Sequence, residues 1–435
     1  MRCTARIMTW IAGALLAGSD VQAQPPVSPG RCVACHLEQS EDRLSAPARM
    51  FAEDVHGRAG FDCLACHGAP RPGEPEHVSS GFLGAPDRRA VALICGRCHS
   101  DAAFMRDFNP SLRVDQVQEY LTSGHGRGLI ERDDPNVAIC IDCHPPHQIK
   151  PPSDLESTVH PLQVAETCGT CHADEDLMRS YELSPAVLDD YRAGVHGRLL
   201  LEEGDVSAPT CNDCHGNHGA APPGLGSVRN VCGQCHTVMA EFFAQSAHVA
   251  PFEEQDLPGC VTCHSNHHIA ETDDSLLVVR SGEICADCHS AGDRWGGEFL
   301  EMKGMIDSLQ AAYAASRALL DDAEDRGMEV SQALFELEEV NNALTKARSA
   351  IHSFHVEPVQ QEVDAGLVVT AAGSQRGRVA MREWYERRLG LAASTLFIVV
   401  LIAAIIGRIR MLEGGQAERR VRTGREPSAS QRRER

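Results

Sequence analysis

The residues of this chain that could do chemistry are cysteines and histidines, and they recur in one pattern, Cys-x-x-Cys-His. The pattern occurs nine times between residues 32 and 289 and uses all but one of the 19 cysteines. Two thiols at this spacing can add to the two vinyl groups of one porphyrin, and the adjacent imidazole then binds the iron. Zinc ribbons need no histidine directly after the second cysteine, and disulfide frameworks have no fixed motif of this kind. The pattern therefore predicts nine covalently bound haem c groups.

Each predicted haem is held by two cysteines and one proximal histidine. The cysteines predicted to form thioether bonds are Cys32, Cys35, Cys63, Cys66, Cys95, Cys98, Cys140, Cys143, Cys168, Cys171, Cys211, Cys214, Cys232, Cys235, Cys260, Cys263, Cys285 and Cys288. The predicted proximal ligands of the iron are His36, His67, His99, His144, His172, His215, His236, His264 and His289. The remaining cysteine, Cys3, lies in a segment that we expect to be cleaved, so no thiol is left over.

Most of the other histidines also stand at fixed places around the motifs. A six-coordinate haem iron needs a second axial ligand, and histidine is one of the side chains that can supply it. The candidates for this distal position are His56, His77, His125, His147, His196, His218, His248, His267 and His352, with His355 as the alternative to His352. Because the 11 methionines show no such periodicity, we expect histidine on both faces of each iron. His160 and His268 are surplus.

Two motifs and their extra histidines form one repeat unit. The units begin at Cys32, Cys95, Cys168 and Cys232, and a ninth motif follows at Cys285. In each unit a histidine precedes the second motif, usually in the sequence His-Gly-Arg. In three units another histidine follows the second motif histidine by three positions, but in the first unit it follows by ten. Which distal histidine serves which haem is left open by the sequence.

The density of motifs limits the fold. Residues 32–289 provide about 29 residues per predicted haem, and only 5% of the chain is aromatic, so the haems themselves must form the core. We therefore predict a multihaem cytochrome c fold, mostly loops and short α-helices wrapped around the haems, followed by long α-helices and one C-terminal transmembrane helix. Long helices are expected because residues 298–354 lack proline and place apolar residues at helical spacing, with a turn at residues 325–327. This stretch could form a packing hairpin or an oligomeric coiled coil, or it could return His352 to a haem.

The two ends of the chain predict its location. Residues 1–23 resemble a signal peptide, with Arg2 and Arg6 before a short apolar run and a small-residue cleavage site. Residues 389–407 contain no charge and are long enough to span the hydrocarbon core as a helix. The basic tail after them should stay cytoplasmic. We expect a single-pass protein of the inner membrane with its haem domain in the periplasm.

These boundaries give a predicted domain organisation. It consists of a signal peptide (1–23), a nonahaem domain of two-haem repeats plus a ninth haem (24–292), an α-helical domain (293–388), a transmembrane helix (389–407) and a basic cytoplasmic tail (408–435).

The charge of the chain bears on its partners. Acidic residues outnumber basic ones by 61 to 40, and the basic signal and tail make the region between them more acidic still. Such a surface argues against nucleic acid and favours basic or neutral docking partners. It is equally consistent with a role in solubility alone. The expected partners are a membrane quinol-oxidising or b-type cytochrome complex and soluble periplasmic redox proteins.

With these motifs the chain resembles the doubled-CxxCH multihaem c-type cytochromes, as a nonahaem member with a C-terminal membrane anchor. This group includes periplasmic electron carriers of nitrite, sulfoxide and metal respiration, and the resemblance covers residues 32–289. It implies that neighbouring haems lie almost in van der Waals contact, in alternating stacked and perpendicular pairs. It also implies electron transport in respiration.

Three functions are compatible with such a chain. An electron carrier needs every iron to have six ligands. A multihaem oxidoreductase acting on nitrite, hydroxylamine or a sulfur oxyanion needs one open or lysine-bound iron. No CxxCK motif occurs, but Lys150 lies near a motif and His77 is irregularly placed, so these two residues are where such a site would arise. A filament subunit would have to leave the membrane, which the C-terminal span argues against. The sequence favours the carrier.

Overall fold

The computed structural model describes residues 30–68, 77, 80–222, 228–280, 284–290 and 292–423. The predicted signal peptide and the last residues of the predicted tail lie outside these ranges. Within them the chain is helical and contains no strand, as the sequence predicts.

The helices are short in the motif region and long after it. The α-helices are α1 Arg31–Leu37, α2 Asp42–Met50, α3 Val55–Arg58, α4 Cys63–His67, α5 Arg88–His99, α6 Ala102–Arg106, α7 Gln116–Thr122, α8 Gly124–Glu131, α9 Cys140–Cys143, α10 Pro161–His172, α11 Glu175–Ser180, α12 Val187–Ala193, α13 Val195–Gly197, α14 Cys211–His215, α15 Val228–Cys232, α16 Thr237–Ala244, α17 Val249–Glu254, α18 Cys260–His264, α19 Arg294–Asp325, α20 Ser331–Leu337, α21 Glu339–Ala350 and α22 Val356–Thr423. A π-helical turn spans Arg198–Glu202, and 3₁₀ turns span Asp274–Leu277, Ile284–Asp287 and Ile351–Ser353.

The chain divides into two compact units. The first comprises residues 1–224 and 264–271, and the second comprises residues 225–263 and 272–435. This division does not coincide with the predicted boundary at residue 292, which was drawn from the position of the last motif. The predicted domains therefore remain predictions.

The first unit has little side-chain core. Its one cluster of buried apolar residues consists, within the described part of the chain, of Val91, Tyr120, Leu129, Val137 and Ile139, with motif cysteines packed against it. Short helices joined by loops surround the motifs instead. So small a core cannot by itself stabilise a unit of this size.

The second unit contains a helical bundle with a conventional core. α19 and α21 pack along α22, and the buried side chains include Met302, Ile306, Leu309, Val340 and Val363. α19 ends where the sequence predicts a turn, because Gly327 has φ +76°, a conformation that glycine adopts without strain. Apolar residues at helical spacing on each helix thus bury one face against the others.

α22 is one continuous helix of 68 residues from Val356 to Thr423. The predicted span at 389–407 is therefore part of a longer helix that begins well before it. Its first half packs in the bundle, whereas the apolar residues from Leu389 to Leu412 are exposed. The helix is long and apolar enough to cross a membrane. This agrees with a single C-terminal anchor.

Candidate functional site: paired imidazoles along the chain

The motifs lie on two kinds of helix. The first motif of a unit lies at the end of a longer helix such as α5 or α10, whereas the second motif forms a short helix of its own, such as α4 or α14. The short helices are stabilised at their N-termini. Asp142 accepts a hydrogen bond from the backbone N–H of Ile139 over 2.7 Å, and Asp213 accepts one from Thr210 over 2.7 Å. The acidic residue between the two cysteines thus fixes the local helix.

The described structure places seven motif histidines close to seven of the predicted distal histidines. Their ring centres are 5.9–6.3 Å apart in the pairs His36–His77, His99–His56, His67–His147, His172–His125, His144–His218, His215–His267 and His289–His248. An iron–nitrogen bond is about 2 Å and the ring centre lies about 1 Å beyond, so two imidazoles on one iron have centres about 6 Å apart. The spacing therefore fits an iron held between the rings.

The pairs follow a register that links neighbouring repeat units. The histidine before the second motif of one unit faces the first motif of the next unit, as His56 faces His99 and His125 faces His172. The histidine after the second motif faces the second motif of the preceding unit, as His147 faces His67. Each unit thus gives one imidazole forward and one back. His77, the irregular member, faces His36 of its own unit.

A repeated backbone hydrogen bond holds this register. The residue before the forward histidine donates its N–H to the carbonyl two residues after the backward histidine of the next unit. The bonds are Val55 to Ile149 at 2.9 Å, Gly124 to Ala220 at 3.0 Å and Val195 to Ile269 at 2.7 Å. The backbone that carries one distal candidate is thereby tied to the backbone that carries the other.

The glycine of each His-Gly-Arg sequence has a steric reason. A Cβ atom at Gly57, Gly126 or Gly197 would lie 1.9–2.0 Å from the carbonyl oxygen of the residue six positions earlier, which is far inside van der Waals contact. The chain therefore folds back over these positions only without a side chain. The sequence repeat shows the glycine but not this reason for it.

Two of the backward histidines adopt left-handed backbone conformations. His147 has φ +69° and His267 has φ +55°. Such a conformation is costly for a residue with a side chain and persists where the surroundings fix it, commonly at functional sites. The strain is consistent with rings held in place for a ligand.

The second ring nitrogen of several histidines is engaged by the backbone. In four of them Nδ1 donates a hydrogen bond to a backbone carbonyl. The bonds are His36 to Leu44 at 3.0 Å, His67 to Gly84 at 2.6 Å, His215 to Ala221 at 3.2 Å and His352 to Ser349 at 3.1 Å. A proton on Nδ1 leaves Nε2 as the metal-binding nitrogen, and such partners are typical of ligating histidines. His355, the alternative to His352, is exposed.

Burial lowers the pKa of most of the paired imidazoles, because a charged ring would lose its hydration. The pKa is lowered in this way for His99, His125, His144, His147, His172, His218, His248 and His267, and also for His352, which is outside the seven pairs. A metal binds the neutral imidazole, so the lowered pKa favours the ligating form.

Asp54 is a buried carboxylate in contact with one pair. Its Oδ1 accepts the backbone N–H of His56 at 2.8 Å and lies 3.0 Å from Nδ1 of the same residue, while Oδ2 accepts the N–H of Ile149 at 2.7 Å. Burial by itself raises the pKa of Asp54, but the hydrogen bonds from His56 and Ile149 outweigh it and the pKa is lowered. Asp54 is therefore ionised at neutral pH. Sequence analysis missed Asp54. The signal that could have found it is the difference between repeat units, because the equivalent position carries serine or glycine in the other three.

The motif cysteines approach one another in chain order. The first cysteines of the two motifs in a unit are in side-chain contact, as Cys32 with Cys63, Cys95 with Cys140 and Cys168 with Cys211. The second cysteines of successive motifs are also close, as Cys66 to Cys98, Cys143 to Cys171 and Cys263 to Cys288. Groups attached at these cysteines would therefore be neighbours along the chain.

The surplus polar residues have other partners. His160 is buried, and its ring accepts the backbone N–H of Leu162 at 3.2 Å, which caps α10. His268 is exposed. Lys150 is bound to Glu156, which raises the pKa of Lys150. A lysine must lose its proton to bind iron, so this arrangement disfavours a lysine-bound site.

The comparison with known families agrees with the motifs. Residues 250–294 match the doubled CXXCH motif family. The match includes the eighth and ninth motifs, and the motif indicates covalently bound haem c in a multihaem cytochrome that transfers electrons. Neither a curated protein nor a solved structure matches the chain.

Proposed function

We propose that the chain is a membrane-anchored nonahaem c-type cytochrome that transfers electrons along bis-histidine haems. The observation that carries the proposal is the spacing of 5.9–6.3 Å between motif and distal imidazoles in seven pairs. His196 and His352 complete the set for the two remaining motif histidines, His236 and His264. Bound at these sites, haem c supplies one-electron redox chemistry.

The proposed role of the chain's own side chains is to hold and orient the haem groups. The motif cysteines would hold each porphyrin through thioether bonds, and the paired imidazoles would exclude water from the iron. The sulfur contacts support transfer in chain order, because groups anchored at touching cysteines lie close together. The second imidazole beside each of seven motif histidines also favours the carrier over an oxidoreductase, which needs an open iron.

The C-terminal helix would place the carrier beside its electron donor. Anchoring raises the effective concentration of the haem region at a membrane quinol-oxidising or b-type cytochrome complex. With the basic tail on the cytoplasmic side, the haems lie in the periplasm, where they pass electrons to soluble redox proteins. The acidic surface would attract basic or neutral acceptors.

The proposal is tested on the full-length protein purified from membranes. Mass spectrometry of the mature chain should give the mass of nine covalent haems. Electron paramagnetic resonance should show low-spin ferric iron only, and the reduced protein should bind no carbon monoxide. A chain without covalent haem, or one that carries zinc, would overturn the proposal. A high-spin signal with carbon monoxide binding would favour the oxidoreductase.

A further inference from the structure

Asp54 differs from the residues at the same position of the other repeat units. Two residues before the forward histidine stand Asp54, Ser123, Gly194 and Ser246. The hydroxyl of Ser123 caps the N–H of Gly126 at 2.9 Å, and that of Ser246 accepts the N–H of its own unit's histidine, His248, at 3.2 Å. Of the four residues, Asp54 alone brings a charge.

That charge is fixed against one ring. Oδ1 of Asp54 lies 3.0 Å from Nδ1 of His56, whose ring centre is 6.0 Å from that of His99. The second carboxylate oxygen accepts the N–H of Ile149 at 2.7 Å, so the carboxylate cannot rotate away. The Asp54 side chain is 1% exposed. A buried charge is screened less than one in water, so its effect on the ring and on any metal behind it is strong.

A carboxylate bonded to the outer nitrogen of a ligating histidine makes the ring a stronger donor and stabilises the oxidised metal. We propose that Asp54 lowers the reduction potential of the iron held by His56 and His99, relative to the irons whose forward histidines have serine or glycine at that position. The inference rests on the proposed haem binding and deepens it. The iron would take up one electron on reduction and give up one electron on oxidation. The proton on Nδ1 of His56 would stay between the ring and the Asp54 carboxylate throughout.

The test is a potentiometric titration of the full-length protein and its Asp54→Ser variant, which copies the residue of two sister units. We expect the reduction potential of one one-electron component to rise by about 59 mV, which corresponds to a tenfold change in its reduction equilibrium constant. A His56→Met variant should change the reduction potential of the same component. The other components should stay where they are.

Asp101→Asn is the matched control. Asp101 follows His99 by two residues and caps α6 by accepting the N–H groups of Ala103 and Phe104, but it is exposed. Its loss removes the same charge near the same motif without touching a ring, so the shift should be much smaller. Ser246→Asp is the reciprocal variant, and it should lower the reduction potential of the iron proposed to bind His248.

The outcomes separate this inference from the proposed function. If Asp54→Ser carries nine haems and moves no component, or moves all of them together, the inference is wrong. An equal shift in Asp101→Asn also overturns it. If Asp54→Ser fails to mature, Ser246→Asp decides, because an unchanged component there contradicts the inference. Absence of covalent haem from the unmodified protein contradicts the proposed function instead.

Discussion

The imidazole rings of His67 and His147 lie 6.0 Å apart and within 7° of parallel. The other pairs formed by backward histidines are similar, at 16° for His144–His218 and 10° for His215–His267. Pairs formed by forward histidines are steeply inclined, at 86° for His56–His99, 54° for His125–His172 and 75° for His248–His289. The origin of the distal histidine therefore sets the angle between the two ring planes.

This difference predicts two classes of ferric signal. Parallel axial imidazoles split the iron d orbitals strongly and give an ordinary rhombic low-spin spectrum, whereas inclined planes give a more anisotropic one. We expect both classes in the electron paramagnetic resonance spectrum of the oxidised protein. Replacing His147 with methionine should reduce the rhombic class alone, and replacing His125 should reduce the anisotropic class alone. A single class for all irons would contradict the ring geometry.

A methyl group at Gly126 should destabilise the first unit. The new Cβ would lie 1.9 Å from the carbonyl oxygen of Tyr120, so the backbone must shift. We expect Gly126→Ala to lose about 1–3 kcal/mol in the free energy of unfolding, read as a lower apparent melting temperature. Gly124→Ala is the control two residues away, because its Cβ meets only the Ala220 carbonyl at 3.8 Å, an ordinary contact. Equal losses in the two variants would refute the steric explanation.

Two alanine variants can distinguish His352 from His355 as the ninth distal ligand. The ring of His352 is partly buried and bonded through Nδ1 to the Ser349 carbonyl, whereas His355 is exposed. We expect His352→Ala to open one iron, which gives a high-spin signal and carbon monoxide binding by about one haem in nine. His355→Ala should leave both measurements unchanged. The reverse result would assign the ninth ligand to His355.

Asp274 should make the helical bundle sensitive to acid. Its carboxylate accepts two hydrogen bonds from Arg348, at 3.0 and 2.8 Å, and one from Gln310 at 3.0 Å. The bonds from Arg348 hold the pKa of Asp274 below its ordinary value. The carboxylate therefore stabilises the bundle fully above the unfolded pKa of about 3.9. This stabilisation is lost as the pH falls through the lower folded pKa.

Asp274→Asn tests this contribution by thermal unfolding. At neutral pH we expect a loss of about 1–2 kcal/mol, and the difference from the unmodified protein should vanish below the folded pKa. Asp307→Asn is the control, because Asp307 forms an exposed i,i+4 pair with Lys303 in the same bundle. That pair is worth about 0.3–0.5 kcal/mol. A difference that persists at low pH would mean that Asp274 acts without its charge.

The exposed apolar part of α22 should be what retains the protein in the membrane. Ile398 and Val399 are 53% and 57% exposed near the middle of the predicted span. Each arginine placed there costs about 2.5–3.5 kcal/mol in a bilayer. We expect the double variant Ile398→Arg/Val399→Arg to move into the soluble fraction. Val368→Arg, at an exposed site earlier on the same helix, should stay in the membrane fraction. Equal retention of both would argue against the anchor.

The sequence by itself predicts the chemistry, and it determined the local elements. Cysteine spacing within a five-residue motif is a local property, so the proposed haem attachment sites follow from the sequence without a fold. The same holds for the helix that ends before Gly327 and for the long apolar run after Leu389, because both follow from composition over neighbouring residues. The set of distal histidines was also visible, since they recur at fixed distances from the motifs.

Only the tertiary structure decided which imidazoles meet. His56 precedes the second motif in the chain but faces His99 of the third, and His77 follows the second motif but faces His36 of the first. Such pairs depend on contacts between segments far apart in sequence, here fixed by backbone hydrogen bonds such as Val55 to Ile149. The burial of Asp54 against His56 depends on the same packing. Spacing along a chain cannot encode these relationships, because they arise from how separate segments fold against each other.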